Sequence, residues 1–311
     1  MSRVVVVGSA NVDIITRVDH LPQPGQTLLG REAAFRPGGK GANQAVAASR
    51  LDADTTFYAA VGTDAFGRQL RDSLGAEGVH VEHLIDIDGE ATGIAMIEVA
   101  ADGENTIVVA SGANFALDPS AVRDLGARLA PGDILVLQLE IPLATCLAAA
   151  IAARAAAARV VLNAAPMPTP GDPVLADLLR VTDVLIVNET EAAALVDRPA
   201  VVAPDAWTSI ARHLCELGPA ASVITLGARG AVAHDATGGW TQPAFRAEAI
   251  DTTGAGDAFC GSLAAALADG AALPLAVRRG CAAGALATAR LGAQAALPTR
   301  VELDKLMGGE R

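Results

Sequence analysis

The feature that most constrains this chain is an alternation. Short valine-rich runs recur between alanine-rich stretches of helical period. Val4–Val7 and residues 56–61, 134–139, 160–163, 184–187 and 222–226 read as buried strands; residues 40–50, 65–76, 143–157, 190–196 and 205–217 read as helices. Consecutive strands separated by helices lie parallel, so the pattern predicts a parallel sheet with helices on both faces. Two more helices follow in succession, at 255–269 and 273–290. Residues 11–36 and 86–110 break the rhythm. They carry alternating β-type segments, among them 92–99 and 105–110 joined by the turn Ala101-Asp102-Gly103-Glu104, with no helix between them. They read as a small antiparallel sheet attached to the main body, suited to a lid or an interface. With no linker, repeat or low-complexity tail, residues 1–311 are expected to form one domain.

Composition narrows the function. Hydrophobic residues make up 51% of the 311 and aromatics only 3%, so alanine, valine and leucine must build the core. The net charge of −12 and the sequence pI of about 4.8 come without a basic stripe, which argues against nucleic acid as a partner. Lys40 and Lys305 are the only lysines, so a lysine inside a glycine cluster stands out. Cys146, Cys215, Cys260 and Cys281 lack metal or redox spacing and read as free thiols. The start of the chain reaches Gly8 too soon for a signal peptide. The longest apolar stretch, 141–153, is shorter than the ~20 residues that span a bilayer. A soluble, cytoplasmic protein is expected.

Four segments hold polar residues where strands end. In Asp251-Thr252-Thr253-Gly254-Ala255-Gly256-Asp257, a β-type stretch opens into an apolar helix. Amides at such a helix start cradle an anion, and Asp257 beside them is either a proton acceptor or an ordinary first-turn aspartate. Pro37-Gly38-Gly39-Lys40-Gly41-Ala42-Asn43-Gln44 is not a Walker loop, since residue 34 is Ala and Gly follows Lys40. It is either a tight turn into a helix or a place where Lys40 and Asn43 reach a polyol. In Gly8-Ser9-Ala10-Asn11-Val12-Asp13, extended chain puts Asn11 and Asp13 on one face, an amide and a carboxylate suited to sugar hydroxyls. Asn188-Glu189-Thr190-Glu191 follows a strand; its acids either hold magnesium through water or favour a helix N-terminus. Thr225-Leu226-Gly227-Ala228-Arg229-Gly230 also follows a strand, where glycines let a nucleotide pass.

In this order and spacing, the segments resemble the ribokinase family of carbohydrate kinases over nearly the whole chain, carried most specifically by Gly38 to Gln44 and Asp251 to Asp257. The resemblance implies a three-layer α/β/α sandwich with a mostly parallel central sheet and a small β lid, a homodimer formed through that lid, and ATP-dependent phosphorylation of a sugar's primary hydroxyl. For D-ribose, whose kinases the motifs resemble most, the product is ribose 5-phosphate. It makes Asp257 the base and the amides of Gly254, Ala255 and Gly256 the anion hole. Asn11, Asp13, Gly39, Lys40, Gly41, Ala42, Asn43 and Glu140 match sugar-binding positions. Asn188, Thr225, Leu226, Gly227, Ala228, Arg229, Gly230, Gly256, Asp257 and Cys281 match nucleotide positions, and Glu191 matches a magnesium-linked acid. Asp251, Thr253, Ala287, Arg290, Gly292 and Ala296 match ligands of a monovalent cation, usually potassium.

Ala296 departs from the serine that this position can carry, which removes a side-chain oxygen. Cys281 stands at an adenine-contacting position that often carries a polar or aromatic residue. Two other readings remain at this level: a kinase of the same family for another pentose, a hexose or a nucleoside, and a sugar-sensing module without catalysis. Few aromatics weigh against a nucleoside pocket; the intact Asp257 and its glycines weigh against a dead kinase.

Overall fold

The computed structural model describes residues 2–102, 104–168, 171–198 and 206–308. In chain order, β1 (Val4–Val7), β2 (Asn11–Arg17) and β3 (Ala33–Gly38) lead into α1 (Lys40–Ser49). Then come β4 (Thr55–Gly62), α2 (Ala65–Ala76), β5 (His80–Ile87), β6 (Gly93–Val99), β7 (Asn105–Ala110) and the one-turn α3 (Leu125–Arg128). The middle holds β8 (Ile134–Leu137), α4 (Leu143–Ala155), β9 (Arg159–Asn163), α5 (Pro173–Arg180), β10 (Val184–Asn188), α6 (Glu189–Leu195) and α7 (Ala206–Glu216). The last part holds β11 (Ala221–Thr225), β12 (Ala231–Asp235), β13 (Gly238–Gln242), α8 (Ala255–Ala268), α9 (Leu273–Thr288) and α10 (Arg300–Leu306). Gly103 of the predicted hairpin turn and residue 205 of a predicted helix lie outside the described residues.

Nine strands form the main sheet in the order β13-β12-β11-β10-β9-β8-β1-β4-β5, parallel from β11 to β5 with β12 and β13 antiparallel at one edge. The valine runs explain it. On β1, Val4 and Val6 enter one core layer with residues of α1, α8 and α9. Val5 and Val7 enter the opposite layer with residues of α4, α5 and α7. Parallel strands covered on both faces are apolar at every position, and β1 and β8 are buried throughout. Aromatic packing is sparse: Phe57 fills one layer and Trp207 the other, both fully buried.

β8 ends at Leu137, two residues before its predicted end. The backbone leaves the sheet there, where the Leu139 amide bonds to the Ala165 carbonyl and the Gln138 side chain turns inward. From β1 the chain builds outward through β4 and β5, then returns on the other side of β1 through β8. The crevice beyond the carboxyl ends of β1 and β8 is therefore a topological switch point, where open α/β sheets bind ligands.

The second sheet, β3-β2-β6-β7, stands above that crevice. Two predictions need correction. Residues 86 and 87 close β5 of the main sheet and are not part of the lid. The lid is mixed, not antiparallel, because β2 and β6 pair in parallel. Both leave the carboxyl end of a parallel main-sheet strand, β2 after β1 and β6 after β5, so they rise in the same direction.

Candidate active site

Where the lid meets the crevice, β2 turns Asn11 and Asp13 to one face, both buried. A Cβ at Gly38 on the neighbouring strand would run into the Asp13 carboxylate, so only glycine leaves room for it. Asn11 Oδ1 accepts from Asn114 Nδ2 at 2.7 Å; Asn114 Oδ1 in turn accepts from the Ala10 amide at 2.9 Å. That orientation leaves the Asn11 amide nitrogen available to a ligand. Glu140 follows β8 and crosses the switch point: it accepts from Ser9 Oγ at 2.5 Å and from the Lys40 amide at 3.1 Å. The start of α1 is thus tied to the ends of β1 and β8. Burial first, then the Glu140 and Asp257 carboxylates, pushes the Asp13 carboxyl up to about 7.

Asp257 sits in the first turn of α8, whose N-cap Gly254 takes the left-handed conformation at φ 75°. There a Cβ would come within 3.0 Å of the Ala293 backbone. Gly256 lines the cavity with open space where a Cβ would stand, while the Ala255 amide donates to the Thr252 carbonyl at 3.2 Å. Asp257 Oδ2 accepts from Asn43 Nδ2 and Oδ1 from Gln44 Nε2, both at 2.9 Å. Burial raises its carboxyl above the ordinary range, opposed by Lys40 and the two amides. Burial alone would lower the Lys40 ammonium, yet Asp257, Glu140 and Glu191 carry it above its ordinary value. A cavity of about 230 Å³ is lined here by Lys40, Thr252, Gly254, Gly256, Asp257 and Glu191, among others. An ammonium, a glycine-flanked helix start and a carboxylate with raised proton affinity therefore share one cleft. That set can receive an anionic group and accept a proton beside it.

Asn188 and Thr225 also line this cavity. Asn188 caps α6: its Oδ1 accepts from the Glu191 amide, while its own amide donates to Glu191 Oε2, each at 2.8 Å. Glu191 is the capping acid of α6 and also faces the cavity. Burial raises its carboxyl; the Asn188 amide and Lys40 oppose this. Gly227, Ala228 and Arg229 form a short turn outside the cavity wall, with Gly230 closing it; Arg229 is paired with Glu189. Two side chains go elsewhere than predicted: those of Leu226 and Cys281 lie in the core. The Leu226 main chain is engaged in the turn, its amide donating to the Gly230 carbonyl and its carbonyl accepting from the Arg229 amide, and burial pushes the Cys281 thiol up to about 12. Ala42 likewise turns its methyl into the core and donates its amide to the Ser9 carbonyl. Gly39, at φ 90°, and Gly41 contribute main chain only.

The cation set gathers where the loop before α8 meets the end of α9. Asp251 Oδ1 accepts from the Thr253 amide at 2.9 Å and Oδ2 from the Gly292 amide at 2.8 Å. Burial works against ionisation there, but those bonds keep the carboxyl below its usual range. The Ile250 and Asp251 amides bond to the Thr288 carbonyl, one residue after Ala287; the Ala287 carbonyl accepts from the Arg290 amide. Ala296 is fully buried in a short turn and brings no side-chain oxygen.

Sequence reasoning passed over Gln44, Asn114, Gln138 and Asn163. Gln44 closes the glycine-rich motif, and Gln138 is a polar residue following the apolar run of β8, both visible signals. Nothing near Asn114 marks it, because Ala10 and Asn11, the partners that tie it to the site, lie more than a hundred residues away.

The family model for pfkB family carbohydrate kinases matches residues 1–300. A ribokinase of Haemophilus influenzae is 38% identical over 299 residues, covering 96% of this chain and 95% of its own. One of Schizosaccharomyces pombe is 35% identical over 316 residues, covering 98% and 97%. The solved ribokinase of Arabidopsis thaliana, complexed with ribose and ATP, superposes with a TM-score of 0.88 at 31% identity, covering 99% of each chain.

Proposed function

The chain belongs to the pfkB family of carbohydrate kinases, and on that footing we propose that it transfers the γ-phosphoryl group of ATP to the 5-hydroxyl of D-ribose, giving ribose 5-phosphate and ADP. The observation that carries this reading is the Asp257 carboxylate, buried at the glycine-flanked start of α8 and held by Asn43 and Gln44 in a cavity shared with Lys40. The kinship with ribokinases over nearly the full chain supports ribose as the sugar.

Asp257 accepts the hydroxyl proton as the sugar oxygen bonds to phosphorus and the bond to the ADP oxygen breaks. A base of raised pKa suits that task near neutral pH. Amides of Gly254 and Gly256 and the Lys40 ammonium face the charge on the phosphoryl group, the Ala255 amide joining them on leaving the Thr252 carbonyl, while Asn11, Asp13, Asn43 and Glu140 orient the sugar hydroxyls. Asn188, Thr225 and the main chain from Leu226 to Gly230 bound the nucleotide side. Glu191 would hold magnesium through water, since Mg²⁺ keeps much of its hydration shell, and the ion would neutralise charge on the phosphates. The oxygen donors around Asp251, one carboxylate plus main-chain carbonyls, fit a hard monovalent cation such as potassium.

Assembly through the lid completes the reading. Paired positions share a face, so Ile15, Ile97, Ile107 and Val109 lie on the Asp13 face of the lid. Ile107 is 54% and Val109 44% exposed. An apolar surface bordering a ligand site favours a homodimer. Among the described residues no helix is long and apolar enough to cross a membrane. Four free cysteines fit a reducing cytoplasm, and recovery from an oxidising compartment would contradict that placement.

Incubation with MgATP and D-ribose tests the reaction, with the product located by phosphorus–carbon coupling. Phosphate on C5 is expected, formed faster in potassium than in a bulky organic cation. Asp251→Ala is expected to abolish the salt response alone. Phosphate on another carbon would refute the regiochemistry, and an unchanged salt response in the variant would refute the cation site.

A further inference from the structure

Gln44 ends the motif that supplies Lys40 and Asn43, yet neither sugar nor phosphate binding uses it. It is fully buried, as is Gln138 beyond β8. Gln44 Nε2 donates to Asp257 Oδ1 at 2.9 Å and to Asn163 Oδ1 at 3.1 Å, while its Oε1 accepts from Gln138 Nε2 at 2.7 Å. Asn163 Nδ2 donates onward to the Ile186 carbonyl at 3.3 Å. Only one orientation of the Gln44 amide satisfies this set. Turned over, its carbonyl would face the Asp257 carboxylate and the Asn163 carbonyl, and its nitrogen would face another amide nitrogen. Gln138 is seated against Gly8, where any Cβ would run into its Oε1. The Asp257 carboxylate, which can only accept, and Asn163 set the polarity of the Gln44 amide, and Gln138 completes it by donating to Gln44 Oε1.

We propose that Gln44, locked by Gln138, is a positioning residue that aims the Asp257 carboxylate and keeps it ionised for proton abstraction. The inference rests on the role given to Asp257 above. Asp257 is faced by Lys40 from α1, Glu140 from beyond β8, Asp13 from β2 and Cys260 from its own helix. Of these only Lys40 is cationic, and burial disfavours the ionised form. The amide donors therefore supply a stabilisation that one ammonium shared among several carboxylates leaves incomplete.

The test measures kcat and KM against pH for the wild type, Gln44→Met, Gln138→Met and Gln138→Glu, using the wild type's best sugar. Gln44→Met is expected to lower kcat about 10- to 100-fold with sugar KM within about threefold. Its acid limb is expected to move up by about one pH unit. Gln138→Met, which does not touch Asp257, is expected to shift the same limb by a smaller amount. In an Asp257→Asn background the Gln44→Met effect on kcat is expected to vanish.

Gln138→Glu changes one atom and carries the test if the methionine variants do not fold. Its ionised form cannot donate to Gln44, so its activity is expected to fall with rising pH where the wild type stays level. An unmoved acid limb in the methionine variants, or a wild-type pH profile in Gln138→Glu, overturns the proposal. A wild type that phosphorylates no sugar defeats the kinase reading instead, so the two failures are distinct.

Discussion

Among single residues, the site sets four carboxylates, of Asp13, Glu140, Glu191 and Asp257, against the one ammonium of Lys40. Asp13 shows the consequence. Its carboxyl rises from 3.8 to about 7 on folding, so between about pH 4 and pH 7 the folded chain holds a proton that the unfolded chain has released. Stability then falls as pH rises through that window. Asp13→Asn is expected to flatten the slope, to melt above the wild type at pH 8 and to weaken ribose binding ~10- to 100-fold, the worth of a hydrogen bond to a charged group. Thermal melts at pH 5 and 8 and a binding titration check this; a variant with the wild-type slope would contradict it. Residue type and local spacing were enough to single out Asn11, Asp13, Lys40, Asn43 and Asp257. Gln44 and Gln138 carry a local signal but no readable role, and Asn163 neither, because their meaning lies in contacts spanning 94 to 213 residues.

Between elements, the decisive contact is α1 on α8, since α1 supplies Lys40, Asn43 and Gln44 and α8 supplies the Asp257 carboxylate they surround. Gly261 lets them close: a Cβ there would meet the Gln44 carbonyl at 2.6 Å and the Ala47 methyl at 2.5 Å. Gly261→Ala is expected to cost about 1–3 kcal/mol, as overpacking does, and to lower kcat by moving Asn43 and Gln44 off Asp257. Calorimetry with steady-state kinetics checks both, and an unchanged kcat with a lowered Tm would separate packing from catalysis. The parallel strands were legible because both faces are buried and their sequences are continuously apolar. β5 was not, since at the sheet edge its residues alternate with solvent and blend into the lid pattern. α5 and α10, of eight and seven residues, are too short for a clear helical period. The parallel pairing of β2 with β6 depends on where each strand leaves the main sheet, which local sequence does not encode.

Across the whole molecule, both faces of the lid carry exposed apolar side chains: Ile107 and Val109 on the face that borders the sugar site, Phe35, Met96 and Val108 on the other. Ile107→Asp puts a charge into that apolar surface and is expected to yield a monomer by analytical ultracentrifugation, with ribose KM raised several-fold as the cover over the site is lost. A variant that sediments as the wild type does would place any interface elsewhere. The central claim, a ribose-specific kinase, is met most directly by initial rates of ADP formation from MgATP over a panel of pentoses, hexoses and nucleosides in potassium. D-Ribose is expected to give the highest kcat/KM, with the Asp257→Asn variant at least ~100-fold slower. A higher kcat/KM for any other compound would contradict the ribose assignment, and undiminished turnover by Asp257→Asn would contradict the chemistry assigned to the site.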